Sequence, residues 1–326
     1  MNDDPTHQLP SEFVARLRAI VPEPAFADVL ASFALAKPAT ARINTLQTEV
    51  PAALAELAAL GLTPAPVAWL PEAIALPADE KRTLTASAAV GAGRVYVQGL
   101  SSMLAAPALA PEPGEEVLDL AAAPGGKTLH LAALMGGAGR LAAVESVRGR
   151  FFTLKENLVR YGAEFVETYN SDGRAVGRKT RERFDRVLLD APCSSEARFD
   201  CRDPETWQYW GPRKIAECAR KQKALLRSAL EAVRVGGRVL YCTCSLAPEE
   251  NELVVAHTLR RLQGAAELVP LAIPVANVHT GLARWNDKTL PGELAHCVRV
   301  LPTADMDALF LALLEKRRSI GAAAPG

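Results

Sequence analysis

The spacing of hydrophobic residues changes near residue 90 and divides the chain into two parts. In the first part, apolar residues recur at helical spacing over 11–20 and 24–36. A short β-type run, TARIN (40–44), and an alanine- and leucine-rich helical segment over 50–60 follow. The prolines after that helix predict an irregular connection rather than a long element: Pro64, Pro66, Pro71 and Pro77. The pattern predicts a small N-terminal α/β module over residues 1–85.

From Glu115 onward, short β-type runs alternate with helical segments, which is typical of a parallel sheet. The predicted strands are EEVLDL (115–120), GRLAAVE (139–145), EFVETY (164–169), FDRVLLD (184–190) and GGRVLYCTC (236–244). Helices are predicted over 128–135, 148–161 and 213–234. The runs CVRVL (297–301) and ALFLALLE (308–315) predict an antiparallel hairpin at a sheet edge. Residues 86–326 are therefore predicted to form one α/β domain.

Composition excludes several classes of protein. The 326 residues are 49% hydrophobic, which suits one large domain and a smaller module. No apolar run approaches the length of a membrane span, and the N-terminal sequence MNDDPTHQLP is polar, so we expect a cytoplasmic protein. The 37 basic and 37 acidic residues balance, so any nucleic-acid binding must come from local patches. The six cysteines include no CxxC pair and the histidines show no ligand spacing, so we predict reduced thiols and no metal.

A glycine-rich turn, LDLAAAPGGKT, joins the first predicted strand of the second part to its helix. Such a turn places a helix N-terminus where it binds anionic or polar groups. A Walker A loop would need glycine at Ala121, and the GxGxxG fingerprint is absent. Glu145 ends the next strand, where an acidic side chain accepts hydrogen bonds from ribose hydroxyls. The pattern predicts a nucleoside cofactor without a pyrophosphate. The alternative is a plain tight turn with Glu145 capping a strand.

Asp172, in SDGR, follows the third strand of this part. It is placed to contact an adenine, or it makes an ordinary Asp-Gly turn.

Two cysteines close apolar runs, Cys193 in RVLLDAPCS and Cys244 in RVLYCTCS. The carboxyl ends of parallel strands share one edge of a sheet, so we expect both thiols to face one crevice. A thiolate suits addition to C6 of a cytosine, which makes C5 nucleophilic enough to accept a methyl group. Free cysteines are often only small buried residues. Two at strand ends, with Asp190 nearby, favour catalysis.

Five segments together resemble the RsmB/NOP2/NSUN family of S-adenosylmethionine-dependent RNA (cytosine-5)-methyltransferases over residues 40–315. They are LDLAAAPGGKT, LLDAPCS, YCTCSLAPEEN, RINTL (42–46) and QGLSSM (98–103). The resemblance implies a Rossmann-like class I methyltransferase sheet with a terminal antiparallel hairpin and an N-terminal RNA-binding module. It also implies S-adenosylmethionine as the methyl donor.

Site residues follow from the same resemblance. It implies Cys244 as the nucleophile on C6, Cys193 as the thiol that assists breakdown of the adduct, and Asp190 as the group that holds the protonated N3 edge of the cytosine. The implied donor-binding residues are Ala121, Ala122, Ala123, Pro124, Gly125, Gly126, Lys127, Glu145, Asp172 and Asp190.

The chain departs from the family pattern after Cys193, where SSEARF stands in place of the glycine of many relatives. Ribosomal RNA is the expected substrate, and transfer RNA is the runner-up. A catalytically silent RNA-binding or ribosome assembly factor and a methyltransferase on DNA or a small molecule remain as alternatives. Oligomeric state is left open.

Two surface features carry double interpretations. Arg213, Arg220, Lys223 and Arg227 share one helical face, which either tracks phosphates or is simply solvated. Trp207, Tyr209 and Trp210 either stack on a displaced base or pack in the core.

Overall fold

The N-terminal part of the computed structural model, which describes residues 8–320, contains five helices and a four-stranded antiparallel sheet. Pro22 separates the first two helices because proline cannot continue a helix. The strand order is β2-β3-β1-β4. The elements are α1 (Ser11–Ile20), α2 (Glu23–Ser32), β1 (Ala39–Ile43), α3 (Val50–Ala59), β2 (Ala65–Val67), β3 (Leu70–Leu76), α4 (Lys81–Ala86), α5 (Ala88–Gly91) and β4 (Val95–Val97).

The prediction of an irregular connection after α3 is wrong, because that stretch forms β2 and β3. Pro66 lies in β2, which is a short edge strand, and Pro71 is the second residue of β3. Edge strands and strand starts tolerate proline because its missing N–H is not needed there. The boundary at residue 85 stays a prediction, although β4 completes this sheet beyond that residue.

Helices α1 and α2 pack against the large domain rather than against the small sheet. The Phe13 ring lies 4.8 Å from Phe199 and 5.7 Å from Trp210, centroid to centroid. The small sheet has its own core around Ile43, Leu57 and other residues of β1, α3 and β3. The N-terminal part is therefore divided among three hydrophobic clusters, since Leu70 and Ala73 of β3 pack with a further cluster of the large domain.

The second part is built on a nine-stranded sheet flanked by helices. Its elements are α6 (Leu100–Met103), α7 (Ala105–Leu109), β5 (Glu116–Asp119), α8 (Gly126–Leu134), β6 (Arg140–Glu145), α9 (Arg148–Arg160), β7 (Glu167–Asn170), α10 (Gly173–Lys179), β8 (Phe184–Asp190), α11 (Pro212–Ala232), β9 (Val233–Thr243), α12 (Glu252–Leu262), β10 (Ala266–Val269), β11 (Val278–Thr280), β12 (Arg284–Trp285), β13 (Lys288–Thr289), β14 (Val298–Val300) and β15 (Leu309–Lys316). Strands β12 and β13 form a separate two-stranded ribbon.

The strand order is β11-β14-β15-β9-β8-β5-β6-β7, and β10 also pairs with β15. Strands β5 to β9 run parallel, as the alternating pattern predicts. This is the Rossmann-like α/β sheet expected from the sequence.

Strands β14 and β15 pair antiparallel as predicted, but β15 does not lie at the edge. It runs between β9 and β14. Its run LFLALLEK is almost entirely buried, as a strand covered on both faces requires.

No helix within residues 8–320 is long and apolar enough to cross a membrane.

A buried histidine joins the two parts. His130 on α8 is fully buried, and its Nε2 lies 3.4 Å from Glu72 Oε1 of β3. Burial lowers the pKa of His130 to about 4; the charge of Arg42 acts in the same direction, and Glu72 opposes it. The folded protein therefore holds this imidazole neutral at neutral pH.

The His130→Gln variant should lose less stability in acid than the wild type. The folded-state pKa lies below the unfolded value of about 6.5, so the stabilisation is present above pH 6.5 and is lost as pH falls toward 4. By pH 4.5, the pKa shift corresponds to about 2–3 kcal/mol in the free energy of unfolding. Urea unfolding at pH 8 and pH 4.5 measures it. His296→Gln, at an exposed position, should keep the wild-type dependence; equal losses in all three proteins would contradict the assignment.

Candidate active site

A cavity of about 800 Å³ opens at the carboxyl ends of β5, β8 and β9. In an open α/β sheet this is the edge at which ligands bind. Its walls come from the glycine-rich turn, from the loops after β8 and β9, from residues 96–102 and from residues 307–309. Both parts of the chain therefore contribute to one site.

The glycine-rich turn is fixed by backbone geometry and by close packing. Gly125 has φ of 114°, in the left-handed region that favours glycine. A Cβ on Gly126 would lie 2.8 Å from Cε1 of Tyr96. Because Tyr96 belongs to β4, the close approach at Gly126 holds the small sheet against the turn.

Asp119, which the sequence analysis did not single out, ends β5 and lines the cavity. Its Oδ2 accepts a hydrogen bond of 2.7 Å from Thr128, whereas its buried Oδ1 has no hydrogen-bond partner. Burial raises the pKa of Asp119 to about 7. The available signal was an acidic residue closing an apolar strand just before the glycine turn. A buried, unpartnered carboxylate oxygen at a cavity wall is an acceptor that a polar ligand can satisfy.

Most of the predicted donor-binding residues line the cavity. These are Ala121, Ala122, Ala123, Pro124, Gly126, Lys127 and Asp190. Gly125, Glu145 and Asp172 are not among its lining residues.

Glu145 and Asp172 are engaged within the protein. Glu145 Oε1 accepts a 2.8 Å hydrogen bond from the N–H of Val147, and Oε2 lies 3.6 Å from Arg150 Nη1. Asp172 caps α10 by accepting from the N–H of Arg174, and it also pairs with that guanidinium. Donor binding by either residue stays a prediction.

Lys127 and Asp190 form an ion pair inside the cavity. Lys127 Nζ donates to Asp190 Oδ2 at 2.6 Å and to Ser102 Oγ at 2.9 Å. Burial on its own would lower the pKa of Lys127, but the charge and the hydrogen bond of Asp190, together with the nearby Cys242 and Cys244, outweigh burial and the pKa is raised. The lysine therefore stays cationic, and Asp190 faces the cavity as its carboxylate partner.

The structure brings the two predicted thiols together. Strands β8 and β9 are parallel neighbours with Asp190 opposite Cys242, so the loops that follow them lie side by side. Sγ of Cys193 lies 3.0 Å from Sγ of Cys244. Both side chains are half-buried and line the cavity.

The surroundings of the two thiols differ in charge. The hydrogen bond between them lowers the pKa of Cys244 and raises that of Cys193, so Cys193 is the donor when Cys244 is ionised. Arg198 lowers the pKa of Cys244 further, whereas burial and the charge of Glu250 raise that of Cys193. Cys244 is therefore the thiol that ionises first, as a nucleophile must.

The loop after Cys193, SSEARF, is anchored by a buried carboxylate. Glu196 accepts hydrogen bonds from the N–H groups of Leu246 and Ala247 at 2.8 and 2.7 Å. It also accepts from Trp210 Nε1 at 2.8 Å. No periodic pattern signals this contact, because it joins two loops about fifty residues apart.

The three aromatic residues after Cys193 differ in their burial. Trp207 and Trp210 pack against the large core, whereas Tyr209 is 80% exposed.

Along α11, Arg213, Arg220 and Arg227 are exposed, and Arg227 pairs with Glu231. Phosphate contacts by this helix stay a prediction. Within residues 8–320, no group of three or more His, Cys, Asp or Glu side chains is arranged to hold a metal ion.

Known proteins resemble this chain in both parts. The family model described as 16S rRNA methyltransferase RsmB/F matches residues 106–315, and an RsmF/B-like ferredoxin-like domain matches residues 9–80. Ribosomal RNA small subunit methyltransferase F of Klebsiella pneumoniae (strain 342) is 36% identical over 272 residues, covering 82% of this chain and 57% of that protein. The protein of the same name from Shigella dysenteriae serotype 1 is 34% identical and covers 97% and 65%.

The fold has a close counterpart among solved structures. A methyltransferase homolog protein from Pyrococcus horikoshii matches with a TM-score of 0.79 and 29% identity, over 97% of this chain and all of that one. The chain spans 57–65% of the length of the two curated relatives described above.

Proposed function

The chain belongs to the RsmB/F methyltransferase family, and from this premise we propose that it methylates C5 of a cytosine in ribosomal RNA with S-adenosylmethionine as donor. The observation that carries the proposal is the pair of thiols 3.0 Å apart beside Asp190, in the cavity that begins at the glycine-rich turn. Cytosine C5 is a weak nucleophile, so its methylation needs a covalent addition that a positioned thiolate provides.

The cavity has the features that a nucleoside donor requires. Its volume of about 800 Å³ leaves room for a donor and a cytosine side by side. The unpartnered Asp119 Oδ1 would accept a hydrogen bond from the donor, and backbone groups of residues 121–127 would border it. S-adenosylmethionine supplies an electrophilic methyl group when bound.

The chain's own residues then act on the cytosine. The Cys244 thiolate adds to C6, forming an S–C6 bond and moving electron density from the C5–C6 double bond toward C5 and N3. Asp190, which pairs with Lys127, accepts the hydrogen bond of N3, which takes up a proton from water as the thiolate adds and releases it when the ring double bond re-forms. After methylation, loss of the C5 proton to water restores the double bond and breaks the S–C6 bond. The Cys193 S–H donates to the departing Cys244 sulfur and stabilises it as a thiolate.

Glu145→Gln tests the predicted ribose contact. We expect about tenfold weaker binding of S-adenosylhomocysteine, because a hydrogen bond to a charged acceptor contributes about 1.5 kcal/mol. Isothermal titration calorimetry measures the affinity. Glu167→Gln on β7 removes a carboxylate that pairs with Arg140 outside the cavity, and it should bind like the wild type. Unchanged affinity in Glu145→Gln would leave Glu145 as a cap of the following turn.

The substrate is tested by bisulfite sequencing of rRNA and tRNA from a host lacking the gene, compared with its parent. The proposal expects one rRNA cytosine mark to disappear and to return when the gene is restored. Loss of a tRNA mark instead would replace ribosomal RNA by transfer RNA as the substrate. If no mark changed in either pool, a silent assembly factor or another substrate would take the place of the proposed function.

A further inference from the structure

Ser195 lies beside Cys244 in a backbone conformation that favours glycine. Its φ and ψ are 63° and 30°, in the left-handed region that residues with a Cβ rarely adopt. Its Oγ is 3.7 Å from Sγ of Cys244. Across residues 8–320, this thiol is the one hydrogen-bond partner of the Ser195 hydroxyl. Strained backbone beside a reactive group points to a role for the side chain that the strain puts in place.

The position of Ser195 relative to Cys244 is set by buried contacts. The N–H of Ala197 donates to the carbonyl of Cys244 at 3.0 Å. Glu196 binds the backbone just beyond Cys244 through the N–H groups of Leu246 and Ala247. These contacts tie the two loops together directly after Ser195, so the approach of Ser195 to the sulfur does not depend on a free loop.

Ionisation of Cys244 fixes the direction of this hydrogen bond. A thiol can donate to the serine oxygen, but a thiolate only accepts, so the Ser195 O–H then donates to the sulfur. A hydrogen bond donated to the charged form stabilises that form.

Arg198 reinforces the effect from the same loop. Its side chain is exposed and lines the same cavity as Ser195 and Cys244. After the hydrogen bond from Cys193, the positive charge of Arg198 is a further cause that lowers the pKa of Cys244.

We propose that Ser195 and Arg198 are positioning residues that hold Cys244 as a thiolate, Ser195 by donating a hydrogen bond to the sulfur and Arg198 by placing a positive charge at the cavity. The inference rests on the proposed function only in treating that thiolate as the nucleophile. It assigns a role to SSEARF, the segment in which this chain departs from the family pattern.

The test is the pH dependence of Cys244 alkylation by iodoacetamide in the full-length protein, read by peptide mass spectrometry. Ser195→Ala should move the midpoint upward by about half to one pH unit and slow alkylation at neutral pH by about three- to tenfold. Arg198→Gln should move it in the same direction at low salt. Its shift should shrink at 1 M salt, where exposed charges are screened; the Ser195→Ala shift should persist.

Ser195→Gly separates the hydroxyl from the backbone. It removes the hydroxyl and relieves the left-handed strain, so it should raise the midpoint as much as Ser195→Ala while the protein is at least as heat-stable as the wild type. Wild-type midpoints in both Ser195 variants would overturn the proposal.

Methyl transfer provides the second readout. The single-turnover rate of Ser195→Ala should fall at pH 7 and recover at pH 9, with an unchanged KM for RNA. A rate that stays low at pH 9 would indicate a structural defect and overturn the proposal. Alkylation needs neither RNA nor methyl donor. If the wild-type protein methylated no RNA but the Ser195 variants still had a raised alkylation midpoint, the proposed function would be refuted and this inference would be supported.

Discussion

Cys244→Ala should reduce methyl transfer by about 10⁴-fold or more, because it removes the atom that adds to C6. Neither neighbouring thiol replaces it. Cys193 holds its proton beside the charges of Glu250 and Asp190, and Cys242 is fully buried with a raised pKa. Transfer of a tritiated methyl group to ribosomal RNA or intact ribosomal subunits under single-turnover conditions measures the rate.

Binding is expected to survive this substitution. Cys244→Ala should bind S-adenosylhomocysteine with wild-type affinity, since no step of donor binding uses the sulfur. Cys218→Ala is the matched control: this buried cysteine lies on α11 outside the cavity, and its loss should leave the rate within a few-fold of wild type. Full activity in Cys244→Ala would remove the covalent mechanism from the proposal.

The main layout of the large domain could be predicted from the sequence because its signals are local. Four of the five parallel strands, all but β7 (ETYN), contain a short apolar run, and the helices between them show helical spacing. The meeting of Cys193 and Cys244 also follows from local information, since both lie just beyond the ends of strands. The two cysteines become neighbours because β8 pairs with β9. Topology rules for parallel sheets favour this pairing of consecutive strands.

The features that the sequence did not predict depend on contacts between distant segments. Pro66 and Pro71 predict breaks in secondary structure because nothing in the local sequence indicates an edge strand at β2 or a strand start at β3. The sequence pattern predicts β15 at a sheet edge because its second partner, β9, lies more than sixty residues away. Likewise, helix α1 belongs to the large core through Phe13 and Trp210, a contact that no periodicity encodes.

The candidate site also combines residues that local motifs indicate with residues that only distant contacts reveal. The glycine-rich turn and both thiols were visible as motifs, whereas the buried anchor Glu196 and the left-handed Ser195 were not. The roles of Glu196 and Ser195 follow from their contacts, Glu196 with the backbone after Cys244 and Ser195 with the Cys244 sulfur. Substitutions in the loop after Cys193 therefore test interactions that the motifs alone do not describe.

Cys193→Ala should separate formation of the covalent adduct from its breakdown. The variant keeps Cys244, so addition to C6 and methylation still proceed, more slowly because the pKa of Cys244 rises without this hydrogen bond. The departing sulfur loses its hydrogen-bond donor 3.0 Å away. We expect a methylated protein–RNA adduct to accumulate and multiple turnover to fall by about 10²-fold or more. A slowly migrating band that carries both tritium and RNA on a denaturing gel would report it.

The double variant decides which sulfur forms the bond. Cys193→Ala with Cys244→Ala should give no band, because the adduct needs the Cys244 sulfur, and Cys193→Ala with Cys218→Ala should still give it. The opposite pattern, an adduct in Cys244→Ala and none in Cys193→Ala, would exchange the two roles. The asymmetry of charge argues against that exchange: the positive charge of Arg198 acts on Cys244, whereas the negative charge of Glu250 acts on Cys193. A thiol held protonated by negative neighbours is suited to donating a hydrogen bond to a leaving sulfur, and a thiol beside a guanidinium is suited to attack.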